Sequence, residues 1–98
     1  MAYKSKFSNK EIDTLFEAIL SLESIDDCYR FFEDVCTIKE IQDMSQRFEV
    51  AEMLFNKEPY QIITSKTKAS TATISRVSKS LSYGADGYKL IFDKQKGK

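Results

Sequence analysis

Between Pro59 and Ala85 the chain carries Lys66, Lys68, Arg76 and Lys79 and no acidic residue. Interleaved with these cations are small hydroxyl and methyl side chains, Ser70, Thr71, Ala72, Thr73 and Ser75. Cations at this density attract a polyanion, and short side chains let a helix approach a groove closely. The chemistry this suggests is contact with nucleic-acid phosphates and base edges. The segregation extends along the chain, although the net charge is zero. Residues 1–10 hold three lysines and no acid, residues 11–58 hold 13 acids against four bases, and residues 59–98 hold eight bases against two acids. Chance segregation, or self-association through opposite patches, gives the same charge pattern, so charge alone does not decide.

Other chemistries are disfavoured by what is missing. There is no histidine, the commonest general base and metal ligand. No paired carboxylates, activated nucleophile, metal-ligand cluster or phosphate-cradling loop appears, so no enzyme, metal or cofactor is expected. Cys28 and Cys36 read as lying on one helix, about 12 Å apart and beyond the roughly 7 Å limit of a disulfide. They are expected to be buried thiols in a reducing compartment. Hydrophobic residues at 42% and charged residues at 31% are the balance of a globular chain, and 98 residues suit one domain. No apolar run approaches the roughly 20 residues that span a bilayer. The stretch Met1 to Lys6 has positive charge but no apolar core after it, so no signal peptide and a cytoplasmic address are expected.

The elements that must position the basic segment are all helical by period. Ser8 with Glu11 predicts a capping box, followed by a stripe of Ile12, Leu15, Phe16, Ile19, Leu20 and Leu22. Ser24 predicts the start of a second helix, with Asp26 and Asp27 in its first turn and Cys28, Phe31, Phe32, Val35 and Cys36 as its stripe. Thr37 with Glu40 opens a long third helix, stopped near Asn56, and Pro59 suits the first position of a fourth, ending near Lys66. Ser70 caps a fifth helix running to about Leu81. A loop follows at Tyr83 to Gly87, then a last helix from about Gly87 to Lys94 with a fraying lysine-rich end. The organisation expected is one domain over 1–98, with a dimerisation part at 8–56, a helix-turn-helix at 59–81 and a C-terminal helix at 86–94. Phe16, Tyr29, Phe31, Phe32, Phe48 and Phe55 load the first three helices with aromatic surface. Burial in a homodimer or in a tightly packed monomeric core would account for it.

Two helices packed steeply across a tight turn need apolar residues at fixed offsets on both sides. Ile63, Ala69, Ile74 and Val77 supply them, leaving Ser70, Thr71, Ala72, Thr73, Ser75, Arg76 and Lys79 facing outward. An αα-corner with a solvated face has the same apolar spacing.

Thr67 through Arg76, Thr-Lys-Ala-Ser-Thr-Ala-Thr-Ile-Ser-Arg, resembles the recognition unit of the Trp repressor family. The stretch from Met44, Met-Ser-Gln-Arg-Phe-Glu-Val-Ala-Glu-Met-Leu-Phe, resembles the long helix before it. The likeness is closer still to the Trp-repressor-related YerC/YecD group, through Leu-Phe-Glu-Ala-Ile-Leu-Ser-Leu from Leu15, Cys-Tyr-Arg-Phe-Phe-Glu-Asp-Val-Cys-Thr-Ile from Cys28, Ala-Ser-Thr-Ala-Thr-Ile-Ser-Arg-Val from Ala69, and Tyr-Gly-Ala-Asp-Gly-Tyr from Tyr83. The resemblance covers about Ile12 to Phe92. It implies an all-α, six-helix fold with a helix-turn-helix, an intertwined homodimer, and a sequence-specific transcriptional repressor that binds a palindromic site on double-stranded DNA. Carried over by position, Thr71, Ala72, Thr73 and Ser75 face base edges, and Lys68, Ser70 and Lys79 lie near phosphates. Ala69 in the turn and Arg76 complete the DNA-binding set. The turn position usually held by Gly is Lys68, where a positive φ would cost around 1 kcal/mol.

The resemblance also implies a place for a corepressor, whose polar ends would meet Arg47, Arg76 and Ser80. The position that must stay small for an indole is Val77 here, so L-tryptophan is not the expected ligand. The three polar residues have ordinary roles without a ligand: Arg47 as a surface cation, Arg76 on a phosphate, Ser80 at a helix end. Three functions therefore stand side by side: a DNA-binding regulator, a small-molecule-gated version of it, and a helical module for a protein partner. Salt dependence separates the third from the first two. The operator sequence is not legible, because Thr, Ala and Ser lack the bidentate pairs that identify G or A.

Overall fold

A computed structural model describes residues Tyr3–Gly97, and within them six helices and no strand. They are α1 (Lys10–Leu20), α2 (Ile25–Val35), α3 (Ile38–Phe55), α4 (Tyr60–Thr67), α5 (Thr71–Tyr83) and α6 (Gly87–Lys96). The chain divides into two compact parts, residues 1–37 and 38–98.

In the first part, α1 is capped by Asn9 and not by Ser8. The Asn9 side chain accepts from the Ile12 amide at 2.7 Å, while the Ser8 hydroxyl donates back to the Ser5 carbonyl. Asn and Ser are equally good caps, so local hydrogen bonding chose between neighbours. α2 begins as its sequence predicts, with Ser24 Oγ accepting from the Asp27 amide at 3.0 Å and Asp27 Oδ2 accepting from the Glu23 amide at 3.0 Å. No residue of α1 or α2 is buried. The expectation of two buried thiols on one helix therefore fails: Cys28 is exposed on α2, and Cys36 is half-buried at its C-cap, where the backbone is already extended. A helical stripe does not bury its thiols unless something covers it.

The second part is built on α3, which packs against α4, α5 and α6. Its core is Val50, Ala51, Met53, Ile63, Ala69, Ile74, Val77 and Phe92, with Phe48, Phe55 and Tyr88 packed around it. Phe92 anchors α6 to α3, its ring centroid lying 5.3 Å from Phe48 and 5.1 Å from Phe55. α6 continues past the predicted end at Lys94 to Lys96, whose ammonium stands 5.3 Å from the Phe55 ring centroid. Lysines in a last turn also favour the negative end of the helix dipole, which opposes fraying.

The helix ends around the turn motif are fixed by hydrogen bonds. At the end of α3 the Glu58 amide bonds the Met53 carbonyl and the Lys57 amide bonds the Leu54 carbonyl, both at 3.0 Å. This is a Schellman closure, with Lys57 at φ 62° in the place Gly usually takes, so the left-handed residue lies one past Asn56. Pro59 is the N-cap of α4, one residue earlier than its expected place inside the helix. α5 runs two residues beyond Leu81 to Tyr83, and Gly84 ends it. A Cβ on Gly84 would collide with the Ser80 carbonyl oxygen, so the close approach of the chain there requires glycine.

Lys68, C-cap of α4, has φ 63° as the helix-turn-helix reading requires. Strain of about 1 kcal/mol is expected at this non-Gly residue. Lys68→Gly relieves it and gives part back in chain entropy, whereas a β-branched side chain worsens it. Urea unfolding is expected to place Lys68→Gly at or above the unsubstituted chain and Lys68→Val about 1 kcal/mol or more below it.

Candidate nucleic-acid interface

The turn between α4 and α5 is tied down from within. Thr67 is buried; its hydroxyl donates to the Ile63 carbonyl at 2.8 Å and accepts from the Ala69 amide at 3.1 Å. Gln46 Nε2, from α3, donates to the Thr67 carbonyl at 3.1 Å, so the long helix sets the position of the turn. Ser70 Oγ then caps α5 by accepting from the Thr73 amide at 3.1 Å and donates to Thr73 Oγ1 at 3.1 Å. Buried polar groups satisfied in this way hold one turn geometry, because any other would leave them unpaired.

With the turn held, the apolar offsets decide which side of α5 faces out. Ile74 and Val77 are buried against α3, as the helix-turn-helix spacing predicts. Lys68, Ser70, Thr71, Ala72, Ser75, Arg76 and Lys79 are exposed, and Thr73 is half-buried beneath its bond to Ser70. Ala69 is 2% exposed and belongs to the core cluster with Ile63 and Ile74, as its place among the apolar offsets predicts, so it is the one buried member of the DNA-binding set. A residue in so tight a turn sits under the helix that follows it.

The cations are unneutralised. Among the described residues the ion pairs are Lys39–Asp43 and Lys89–Asp86, and neither involves Lys66, Lys68, Arg76 or Lys79. A helix face with several uncompensated cations and no acid in the segment carries a positive potential suited to phosphates. Among the described residues no group of three or more His, Cys, Asp or Glu could hold a metal ion. No described helix is long and apolar enough to cross a membrane.

Of the three residues expected around a corepressor, the structure brings two together. Arg76 and Ser80 line one open depression of about 350 Å³ with Lys79, Tyr83 and Gly84. Arg47, half-buried on α3, does not line it. Val77 is buried in the core, as its β-branched side chain predicts. Tyr83 is 85% exposed and extends the outer face of α5 beyond Lys79. Tyr83 lies beyond the expected helix end at Leu81, and its spacing of four from Lys79 is the sequence signal that places it on this face.

The family described as Trp repressor protein matches residues 10–96 of this chain. The uncharacterized protein YerC of Bacillus subtilis (strain 168) is 53% identical over 91 residues, covering 93% of this chain and 88% of that one. Two solved structures share the fold. A TrpR-like protein from Eubacterium eligens superposes with a TM-score of 0.89 at 56% identity, over 92% of this chain and 93% of its own. A putative Trp repressor from Staphylococcus aureus superposes with a TM-score of 0.89 at 47% identity, over 93% and 91%.

Proposed function

The chain belongs to the Trp repressor family, and from that premise we propose that it is a sequence-specific DNA-binding transcriptional repressor acting as a homodimer on a palindromic operator. The observation that carries this reading is the outer face of α5, where Thr71, Ala72 and Ser75 stand beside Arg76 and Lys79 on a helix fixed to α3 by Ile74 and Val77. In this reading the small side chains meet base edges in the major groove, and Lys68, Ser70, Arg76 and Lys79 meet phosphates. Selection of bound fragments from a random duplex pool tests it directly. Enrichment of an inverted repeat whose binding falls steeply with salt supports the reading, and recovery of the input pool overturns it.

The homodimer rests on α1 and α2. Phe16, Leu20, Ile25, Tyr29 and Val35 are all exposed, more apolar surface than a monomer of 11.3 kDa leaves uncovered. A homodimer carries two α5 helices, and in this reading half-sites repeat about 34 Å apart along the duplex. The unfolding midpoint is expected to rise with protein concentration. Light scattering that gives 11.3 kDa at tens of micromolar, roughly where an obligate dimer stays assembled, counts against the dimer.

A small-molecule gate is favoured by one observation, the shared depression of Arg76 and Ser80. L-tryptophan is not its ligand in this reading, since Val77 occupies the space between α5 and α3 that a flat ring would need. Calorimetric titration with tryptophan is expected to give no saturable heat, and a micromolar site that tightens DNA binding would refute this.

A further inference from the structure

A cavity of about 460 Å³ opens between the end of α3, α5 and α6, away from the face assigned to DNA. Its rim carries Lys57, Lys89 and Lys96, and no acidic residue lines it. Its floor is apolar, formed by Leu54, Phe55 and Leu81, and two hydroxyls, Ser78 and Ser82, enter from α5. These serines are four residues apart, as are Arg76 and Ser80, but the two pairs are offset by two residues. At about 100° per residue this places them roughly 200° apart around the helix, so the cavity lies on the opposite edge of α5 from the Arg76 depression.

The three lysines reach the rim from the end of α3 and from α6. The Lys57 backbone is fixed in the left-handed closure of α3 at φ 62°, and its exposed ammonium makes no ion pair among the described residues. Lys96 stands over the Phe55 ring at 5.3 Å, which keeps its ammonium above the floor. Lys89 is drawn only weakly away, by an exposed Asp86 at 3.9 Å. Three cations around an apolar floor raise the positive potential over an open cavity, and hydroxyls beside them add donors that orient an oxyanion.

We propose that this cavity is a binding site for a small phosphorylated or carboxylated molecule with an aromatic or aliphatic body, its anionic group held by Lys57, Lys89 and Lys96 and its body resting on Leu54, Phe55 and Leu81. The site does not depend on the DNA-binding reading, and it uses the reverse edge of the same helix. Phenyl phosphate is the probe, titrated into the full chain and followed by amide NMR shifts. Shifts at Ser78, Ser82 and Lys89 are expected to saturate, about tenfold tighter than with inorganic phosphate, and phenol is expected not to reproduce them. The double variant Lys57→Asn with Lys89→Gln, in which Asn suits the left-handed position, is expected to keep the dispersed spectrum and to bind about tenfold more weakly. The proposal is overturned by any of four results: no saturation up to roughly 10 mM, shifts centred on Arg76 and Lys79, equal binding of phenol or inorganic phosphate, or unchanged binding in the double variant. A non-specific duplex that shifts the same amides would assign the lysines to DNA phosphates and overturn it as well.

Discussion

Ile74→Ala is expected to lower the unfolding free energy by about 2–5 kcal/mol, a large fraction of the roughly 5–15 kcal/mol that holds an ordinary domain folded. Ile74 is 0% exposed, and it joins α5 to α3 within the same cluster as Ile63 and Ala69. Removing three carbons there loses their transfer from water and leaves a cavity that a close-packed core relaxes poorly to fill. Urea unfolding at one fixed protein concentration measures the loss. Ser75→Ala, on the exposed side of the same helix, is expected to change stability by no more than about 0.5 kcal/mol. A small effect of Ile74→Ala would mean that α5 is not docked as the structure has it.

The second large effect concerns binding. Arg76→Ala combined with Lys79→Ala is expected to weaken binding to every duplex and to flatten the salt dependence. Each phosphate contact contributes about 0.9 to the slope of log affinity against log salt, so losing two lowers it by about 1.8. Thr71→Ala is expected to behave differently: it leaves the slope in place and changes preference among sequences, by about 1–3 kcal/mol if its hydroxyl reads a base. Fluorescence anisotropy on one selected duplex and one scrambled duplex, at several salt concentrations, separates the two behaviours. Wild-type affinity and selectivity in all these variants would move the interface off α5.

Much of the second part of the chain was legible because a helix repeats its face every three to four residues. Ile63, Ile74 and Val77 could be assigned to the inside from spacing alone, and all three are buried. Arg76 and Ser80 share a depression for the same local reason, being one turn apart. Arg47 failed to join them because it lies on another helix, and period within one helix says nothing about the angle at which two helices meet. Ala69 stood both among the apolar offsets and in the DNA-binding set, and its burial separates the two. Its neighbours are exposed, but in a turn the face changes from one residue to the next, and only the packing of α4 on α5 decides which way one methyl points.

Composition and period by themselves determined that this chain is helical, where its apolar stripes run, and that its basic residues gather with small hydroxyls between Pro59 and Ala85. These are properties of residues close in sequence, where the physics of hydrogen bonds and helical repeat acts over a single turn. Tertiary structure decided the rest. It carried α6 to Lys96 by way of the Phe55 ring and left Cys28 exposed. It also brought Lys57, at the end of α3, to Lys89 and Lys96 of α6 around one apolar floor. Burial and charge clustering depend on which surfaces meet, and that is settled by the packing of whole helices against one another.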